Sequence, residues 1–188
     1  MATNPRKPAK WWAVPCVLAS ALLMASLSVQ AAEQHCQSGV GKKRASTPTT
    51  EFVLNQDGTV VHNRTGLQWA RCSLGQTWEG SRCTGQAAVY SWDDATDAVA
   101  QLNGATLGGH SDWRLPTAQE LMSIVEQCRQ APAININVFP DTPRSGYWTG
   151  TIHRGSSQPT FVGFHLGLEQ NWLSHSSYRV RPVRAVER

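Results

Sequence analysis

The sequence GGHSDWRLPTAQEL, residues 108–121, joins a turn to a helix and places a large apolar side chain between them. The pair Gly108-Gly109 is a turn signal, and the following pattern indicates the start of a helix. Thr117 with Glu120 three residues later is typical of a capping box, in which each side chain accepts a hydrogen bond from the other residue's backbone amide. Trp113 lies between these signals, so we expect its indole to be a core anchor of the domain.

Two helices are predicted around this stretch. The first starts at Ser91, which forms a capping box with Asp94, and ends at Asn103-Gly104. The second starts after Thr117 and is closed by Pro132. Four of its residues share an apolar face that should point inward: Leu121, Ile124, Val125 and Cys128.

Short strands are predicted before and after the helices. Residues 52–54 and 59–62 flank a turn that ends in Gly58, a pattern typical of a hairpin, and residues 67–70 form a third strand. Branched and aromatic residues at 147–151 and 160–166 indicate further strands. The stretch 178–181 alternates, with Tyr178 and Val180 facing one way and Arg179 and Arg181 the other. This order of elements predicts an α+β domain with mostly antiparallel pairing.

The amino-terminal 31 residues have the composition of a secretory signal peptide. A basic start is followed by a mostly apolar stretch from Trp11 to Val29 and by small residues before a cleavage site after Ala31. Retention as a membrane anchor is the alternative, because the apolar stretch is long enough to span a bilayer. We expect cleavage, an exported chain that is periplasmic or at the cell surface, and membrane contact only through the leader before it is removed.

The positive charge of the full chain comes mostly from this leader. Without Arg6, Lys7 and Lys10, 14 of the 17 Lys and Arg residues remain against 13 Asp and Glu, a net charge of about +1. Nucleic-acid binding is therefore not expected, because the basic footprint that phosphate backbones require is missing.

Four cysteines remain after the leader, an even number that predicts disulfides in an exported chain. Cys72 and Cys83 lie close together around a Gly- and Ser-rich stretch, so we pair them, which leaves Cys36 with Cys128. A zinc site is the alternative, but no two of these cysteines have the spacing of a metal-binding pair. Residues 32–50 are rich in Gly, Ser, Thr and Lys and are predicted to be a flexible linker before a domain at 51–188. The run Lys42-Lys43-Arg44 in this segment is interpreted as a solvated charge run.

Five stretches occur in an order that resembles a known family. They are TVVHNRTGLQWARCSLGQTW (59–78), GGHSDWRLPTAQEL (108–121), CRQAPAININVFPDTP (128–143), YWTGT (147–151) and RVRPVR (179–184). Together they resemble the C-terminal domain family of the Legionella collagen-like adhesin, formerly a domain of unknown function, over about residues 51–186. The resemblance implies a C-type-lectin-like variant fold and an extracellular role in binding sulfated polysaccharides. Unlike the founding adhesin, this chain has no Gly-X-Y repeat.

The signature residues have a structural explanation. Asp112 and Arg114 flank Trp113 and are expected to pair with neighbouring charges or with Arg184, whose position in the alternating pattern directs it inward. Thr117 and Glu120 complete this structural signature as the helix cap. The six histidines have no metal-binding spacing, lectin-type calcium triplets are missing, and no nucleophile elbow is present, so we predict no metal, no cofactor and no catalytic residue.

A binding surface is the remaining candidate site. After residue 130, six Arg face three Asp and Glu, and Arg forms bidentate bonds with carboxylate and sulfate. We therefore predict ligand binding by Arg154, Trp172, Arg179 and Arg181, with a solvated strand face as the alternative.

Three functions follow as hypotheses. The first is an exported, non-enzymatic binding or adhesion module for anionic polysaccharide or a cell-surface partner. The second is a structural or assembly component of the cell envelope that contacts an envelope protein. The third is an enzyme of the formylglycine-generating-enzyme-like branch of the fold, which would need an active-site cysteine pair.

Overall fold

The computed structural model describes residues 34–171 and 176–186. The described residues belong to one compact unit. The predicted leader, residues 1–31, lies outside the described residues.

The described residues form mixed α and antiparallel β structure. The α-helices are α1 (Trp92–Ala105) and α2 (Ala118–Met122), and two 3-10 turns cover Thr49–Glu51 and Leu107–Gly109. The strands are β1 (Phe52–Leu54), β2 (Thr59–His62), β3 (Leu67–Ala70), β4 (Thr77–Trp78), β5 (Cys83–Thr84), β6 (Gly146–His153), β7 (Gln158–Gly163), β8 (Leu168–Asn171) and β9 (Val183–Ala185). The predicted α+β class with antiparallel pairing is confirmed.

Two larger sheets form the body of the domain. One has the strand order β1-β2-β3-β9 and the other β6-β7-β8, and every pairing in them is antiparallel. The predicted first hairpin is present, and Gly58 has a φ of +84° in its turn. A side chain at Gly58 would also contact the Trp78 ring at 2.8 Å, so this turn requires glycine for both reasons.

Two apolar clusters fill the interior. The larger one joins the four-stranded sheet to the turn after α2 and includes Trp69, Leu121 and Phe139. The second packs α1 against Trp113 and the aromatic side chains of the three-stranded sheet, such as Trp148. Trp113 is 3% exposed, which confirms its expected place in the core.

Both helices start where the sequence predicts, but they end elsewhere. Thr117 and Glu120 form the complete capping box. Ser91 accepts a hydrogen bond from the Asp94 amide, but the Asp94 carboxylate accepts from the Ser91 hydroxyl group, so Ser91 is a helix cap without the predicted capping box. The α1 helix continues past Asn103-Gly104 to Ala105. The α2 helix has only five residues, because the chain turns back and Val125 pairs with Ile134 instead of continuing the helix. The four residues of the predicted apolar face are nevertheless buried.

Residues 178–181 do not form the alternating strand that the sequence predicts. Tyr178 pairs with Tyr90 and Arg179 pairs with Tyr147, each as an isolated bridge, and the regular strand begins only at Val183. Strict alternation therefore does not hold, and both Val180 and Arg181 are fully buried.

The disulfides Cys36–Cys128 and Cys72–Cys83 are both present, which confirms the predicted pairing. The first bond attaches the N-terminal segment, residues 34–50, to the turn after α2. The second bond joins the ends of a short loop that contains β4.

The N-terminal segment differs from the predicted flexible linker, because it packs on the domain. The carboxylate of Glu126 is fully buried and accepts hydrogen bonds from Gln34, Ser46 and Thr47. These bonds include backbone amides of the segment, so its path is fixed by polar contacts and not by apolar periodicity.

Candidate functional site

A groove of about 460 Å³ lies between α1, the signature stretch 112–117 and β6. Its volume falls within the usual range for small-ligand sites, about 300–1,000 Å³. Most of its lining is apolar, with polar groups at the rim. The lining residues are Trp92, Thr96, Val99, Ala100, Asn103, Trp113, Arg114, Leu115 and Gly150.

Hydrogen bonds from their ring nitrogens fix the two indoles of the groove. Trp92 Nε1 donates to the Thr149 carbonyl at 2.9 Å, and Trp113 Nε1 donates to the Leu107 carbonyl at 3.0 Å. Because each donor is satisfied within the protein, the ring positions are set before any ligand arrives.

Asn103 joins α1 to the signature stretch. Its side-chain amide donates to the Trp113 carbonyl at 2.9 Å and accepts from the Trp113 amide at 2.8 Å. The sequence around Asn103 indicates only a role at the helix end. No local pattern could show that a residue ten positions later provides both partners.

Arg114 and Glu120 form the charged rim of the groove. Arg114 Nη1 and Nη2 each lie 2.7 Å from a Glu120 carboxylate oxygen, a bidentate ion pair. The same carboxylate accepts the Thr117 amide at 2.8 Å. Burial opposes ionisation of Glu120, but the bonds from Arg114 and Thr117 outweigh it and lower the pKa of this carboxyl group. The pair therefore stays charged and holds the rim in one geometry.

A second ion pair connects the signature stretch to the first sheet. Arg184 is 5% exposed and donates from Nε to Asp112 at 2.6 Å and from Nη1 to Gln68 at 2.7 Å. The hydrogen bond from Arg184 lowers the pKa of the exposed Asp112 carboxyl group. The predicted pairing of Asp112 with Arg184, and the inward direction of Arg184, are confirmed.

The four predicted ligand-binding residues do not form one surface in the described part of the chain. Arg154 is exposed in the turn between β6 and β7. Arg179 is partly buried beside Tyr147. Trp172 lies outside the described residues.

Arg181 requires a correction, because it cannot contact a ligand. Its side chain is fully buried, with Nη1 donating to the carbonyls of Ala70 and Arg71. Its Nη2 donates to Thr142 Oγ1 at 2.8 Å, and the guanidinium lies over the Phe139 ring. Burial lowers the pKa of Arg181. The guanidinium thus connects loops in the core, a role that alternation along the chain could not reveal.

Residues 34–171 and 176–186 contain no cluster of three or more His, Cys, Asp or Glu side chains that could hold a metal ion. No helix in these same ranges has the length and apolar character needed to cross a membrane.

Fold and groove define the class: a small α+β domain, stapled by two disulfides, with a preformed groove built around its signature stretch. The chain belongs to the Lcl C-terminal domain family, because the sequence model of that family matches residues 58–184. This confirms the resemblance to the collagen-like adhesin domain and associates the chain with adhesion. The family and the disulfides are consistent with an exported protein. No curated protein matches the chain.

Proposed function

We propose that this chain is an exported, non-enzymatic adhesion module that binds an acidic glycan of a cell surface in the groove at the signature stretch. Membership in the adhesin-domain family supports the adhesive role. Two disulfides support a site of action outside the reducing cytoplasm. The sheet and helix arrangement is proposed to be a C-type-lectin-like variant, as the family resemblance implies.

The groove itself carries the proposal. Trp92 provides partly exposed indole surface and Leu115 extends it, whereas Trp113 and Val99 line the groove but are largely buried, and both ring nitrogens are already bonded. Sugar rings have apolar faces that pack against indoles. A site that is rigid before binding loses little conformational entropy when the ligand enters, which favours affinity.

Exposed cations support the acidic character of the ligand. Within the described ranges, Arg144 and Arg154 are exposed and form no ion pair with a carboxylate. Arginine can bind sulfate or carboxylate groups through two parallel hydrogen bonds. The rim residue Arg114 is partly exposed and already oriented by Glu120.

A groove-filling substitution tests the proposal without removing a core residue. Ala100 lines the groove and is exposed, so Ala100→Trp should fill it. Ala105→Trp introduces the same ring at an exposed position of the same helix outside the groove lining and is the matched control. Both variants should keep the helical circular-dichroism signal of the parent chain.

We expect the parent and Ala105→Trp to bind acidic members of a glycan array and to be retained on heparin at low salt. Ala100→Trp should lose array binding by tenfold or more, about 1.4 kcal/mol. Equal binding by both variants would show that the glycan does not bind in the groove. Absence of array binding and of heparin retention by the parent would contradict glycan binding.

An envelope assembly component is the second candidate, because β8 is an edge strand with exposed apolar side chains beside it. Leu166 is 49% exposed and Leu168 is 52% exposed. Sheet edges with apolar side chains pair readily with other chains. Capture of a single envelope protein that is lost in Leu168→Lys, without glycan retention, would select this function.

The third hypothesis, an enzyme that uses a cysteine pair, is disfavoured in this proposal. The four cysteines of the described ranges are joined in two disulfides that connect structural segments. A free thiol in the oxidised exported protein would reopen it.

A further inference from the structure

The loop Cys36–Arg44, here the basic loop, is closed at both ends against the turn after α2. Cys36 is disulfide-bonded to Cys128, and the Gln37 amide donates to the Cys128 carbonyl at 2.9 Å. At the other end the Lys42 amide donates to the Gln127 carbonyl at 3.3 Å. Since both ends are fixed to adjacent residues, the segment between them forms a ring.

Side-chain contacts hold the same ring from the outside. The Gln37 side-chain amide donates to the Gln130 carbonyl and accepts from the Gln130 amide, at 3.2 and 2.9 Å. Arg129 Nη1 donates to the His35 carbonyl at 3.1 Å. The ring encloses a concavity of about 420 Å³ that is lined by residues 36–43 alone.

Two glycines determine the ring's backbone. Gly39 and Gly41 have φ values of +78° and +43°. A Cβ at Gly41 would lie 2.1 Å from the Gln127 carbonyl oxygen, so only glycine allows this approach. Turns of this kind direct successive backbone amides toward a common point and form anion-binding concavities.

The donors of the ring are unused within the protein. In residues 34–171 and 176–186, no protein acceptor receives the amide hydrogens of Ser38, Gly39, Gly41 and Lys43. These four amides are available to an oxyanion.

The charge around the ring is positive. Lys42, Lys43 and Arg44 are exposed, and residues 34–50 contain no Asp or Glu. The packed turn contributes one acid, Glu126, whose buried oxygens are occupied by Ser46, Thr47, Gln34 and the Cys128 amide. No exposed carboxylate of these two elements competes for the three cations.

We propose that the basic loop is a binding site for a tetrahedral oxyanion, phosphate or sulfate, free or as an ester. The ring amides would donate to its oxygens, and Lys42 and Lys43 would supply the opposing charge. The site lies outside residues 58–184 and is separate from the groove, so it does not depend on the proposed glycan function.

The test is an NMR titration of the oxidised exported chain with inorganic sulfate and with inorganic phosphate at constant ionic strength. We expect saturable shifts of the Ser38, Gly39 and Gly41 amides. The charge variant Lys42→Gln/Lys43→Gln should weaken binding about tenfold or more. Gly41→Ala keeps every charge but strains the ring, and it should also weaken binding about tenfold. Gly104→Ala, at an exposed helical position with open space around it, should bind like the parent.

The outcomes separate a built site from a solvated charge run. If the charge variant weakens binding but Gly41→Ala does not, or if the ring amides show no saturable shifts, the proposal is overturned. Heparin and phosphatidylglycerol vesicles, compared with phosphatidylcholine vesicles, identify the source of the oxyanion once binding is shown. Ala100→Trp should leave the sulfate titration unchanged, so failure of the groove and failure of the loop are distinguishable.

Discussion

Two glutamates six residues apart organise two different regions of the domain. Glu120 is partly exposed, pairs with Arg114 and caps α2 through Thr117, so its partners are all within six residues. Glu126 is fully buried and forms no ion pair in the described residues. Its carboxylate accepts six hydrogen bonds, five of them from residues 79 to 92 positions away.

The difference shows two ways of keeping a carboxylate ionised. At Glu120 burial opposes the charge, but the bonds from Arg114 and Thr117 together outweigh it and lower the pKa of this carboxyl group. At Glu126 burial raises the cost of the charge, yet the amides of Ser46, Cys128 and Thr47 lower its pKa. The first arrangement shapes a local rim. The second couples the N-terminal segment to the rest of the fold, so its loss should affect the segment as a whole.

Removing the covalent link of the N-terminal segment should have the largest effect. By chain entropy, Cys36→Ser/Cys128→Ser should lower the free energy of unfolding by about 4 to 5 kcal/mol, because the disulfide closes a long loop. The short disulfide is the comparison: Cys72→Ser/Cys83→Ser should cost about 3 kcal/mol. Urea unfolding gives both values. Hydrogen exchange at the Thr47 amide should accelerate only in the first variant, and equal protection in both would contradict the coupling.

The two glutamates should respond differently to the same isosteric change. In Glu126→Gln the side-chain NH2 group, itself a donor, would face N–H and O–H donors that now bind a carboxylate oxygen. We therefore expect the free energy of unfolding to fall by about 2 to 3 kcal/mol. In Glu120→Gln the capping oxygen remains and only a partly exposed ion pair is lost, so the loss should be below about 1 kcal/mol. Urea unfolding at low and high salt measures both. Losses of the same size would show that the buried carboxylate has no special role.

The sequence predicted the Glu120 region well because its partners are local. The helix cap at Ser91, the capping box at Thr117, the first hairpin and the burial of Trp113 all follow from short-range patterns. The cysteine pairing followed because few connectivities exist for four cysteines.

The parts that sequence reasoning missed depend on distant partners. Most groups that donate hydrogen bonds to the Glu126 carboxylate lie in the N-terminal segment, residues 34–50. This segment has no apolar periodicity, so the sequence predicted a flexible linker there. Arg181 can be buried because its guanidinium donates hydrogen bonds to the carbonyls of Ala70 and Arg71, which lie more than 100 positions earlier in the chain. The candidate groove needed α1, the signature stretch and β6 together, and no sequence pattern predicted it.

The smallest expected effect is a decline in stability at mildly acidic pH that comes from His62 and from neither glutamate. His62 is buried against Phe52 with Glu51 and Arg64 nearby, and burial is the main cause that lowers its pKa from 6.5. The unfolded chain therefore takes up this proton at higher pH than the folded chain does. The stability due to neutral His62 is complete above about pH 6.5 and is lost as the pH falls below it. The pKa values of the Glu120 and Glu126 carboxyl groups are lowered from 4.5, so these groups lose their contribution to stability only at more acidic pH.

Thermal unfolding as a function of pH tests this order. The variant His62→Gln should lack the first decline and keep the second, whereas the exposed control His153→Gln should keep both. A parent chain without a decline just below pH 6.5 would mean that His62 titrates alike in the folded and unfolded states, leaving acid sensitivity to the carboxylates alone.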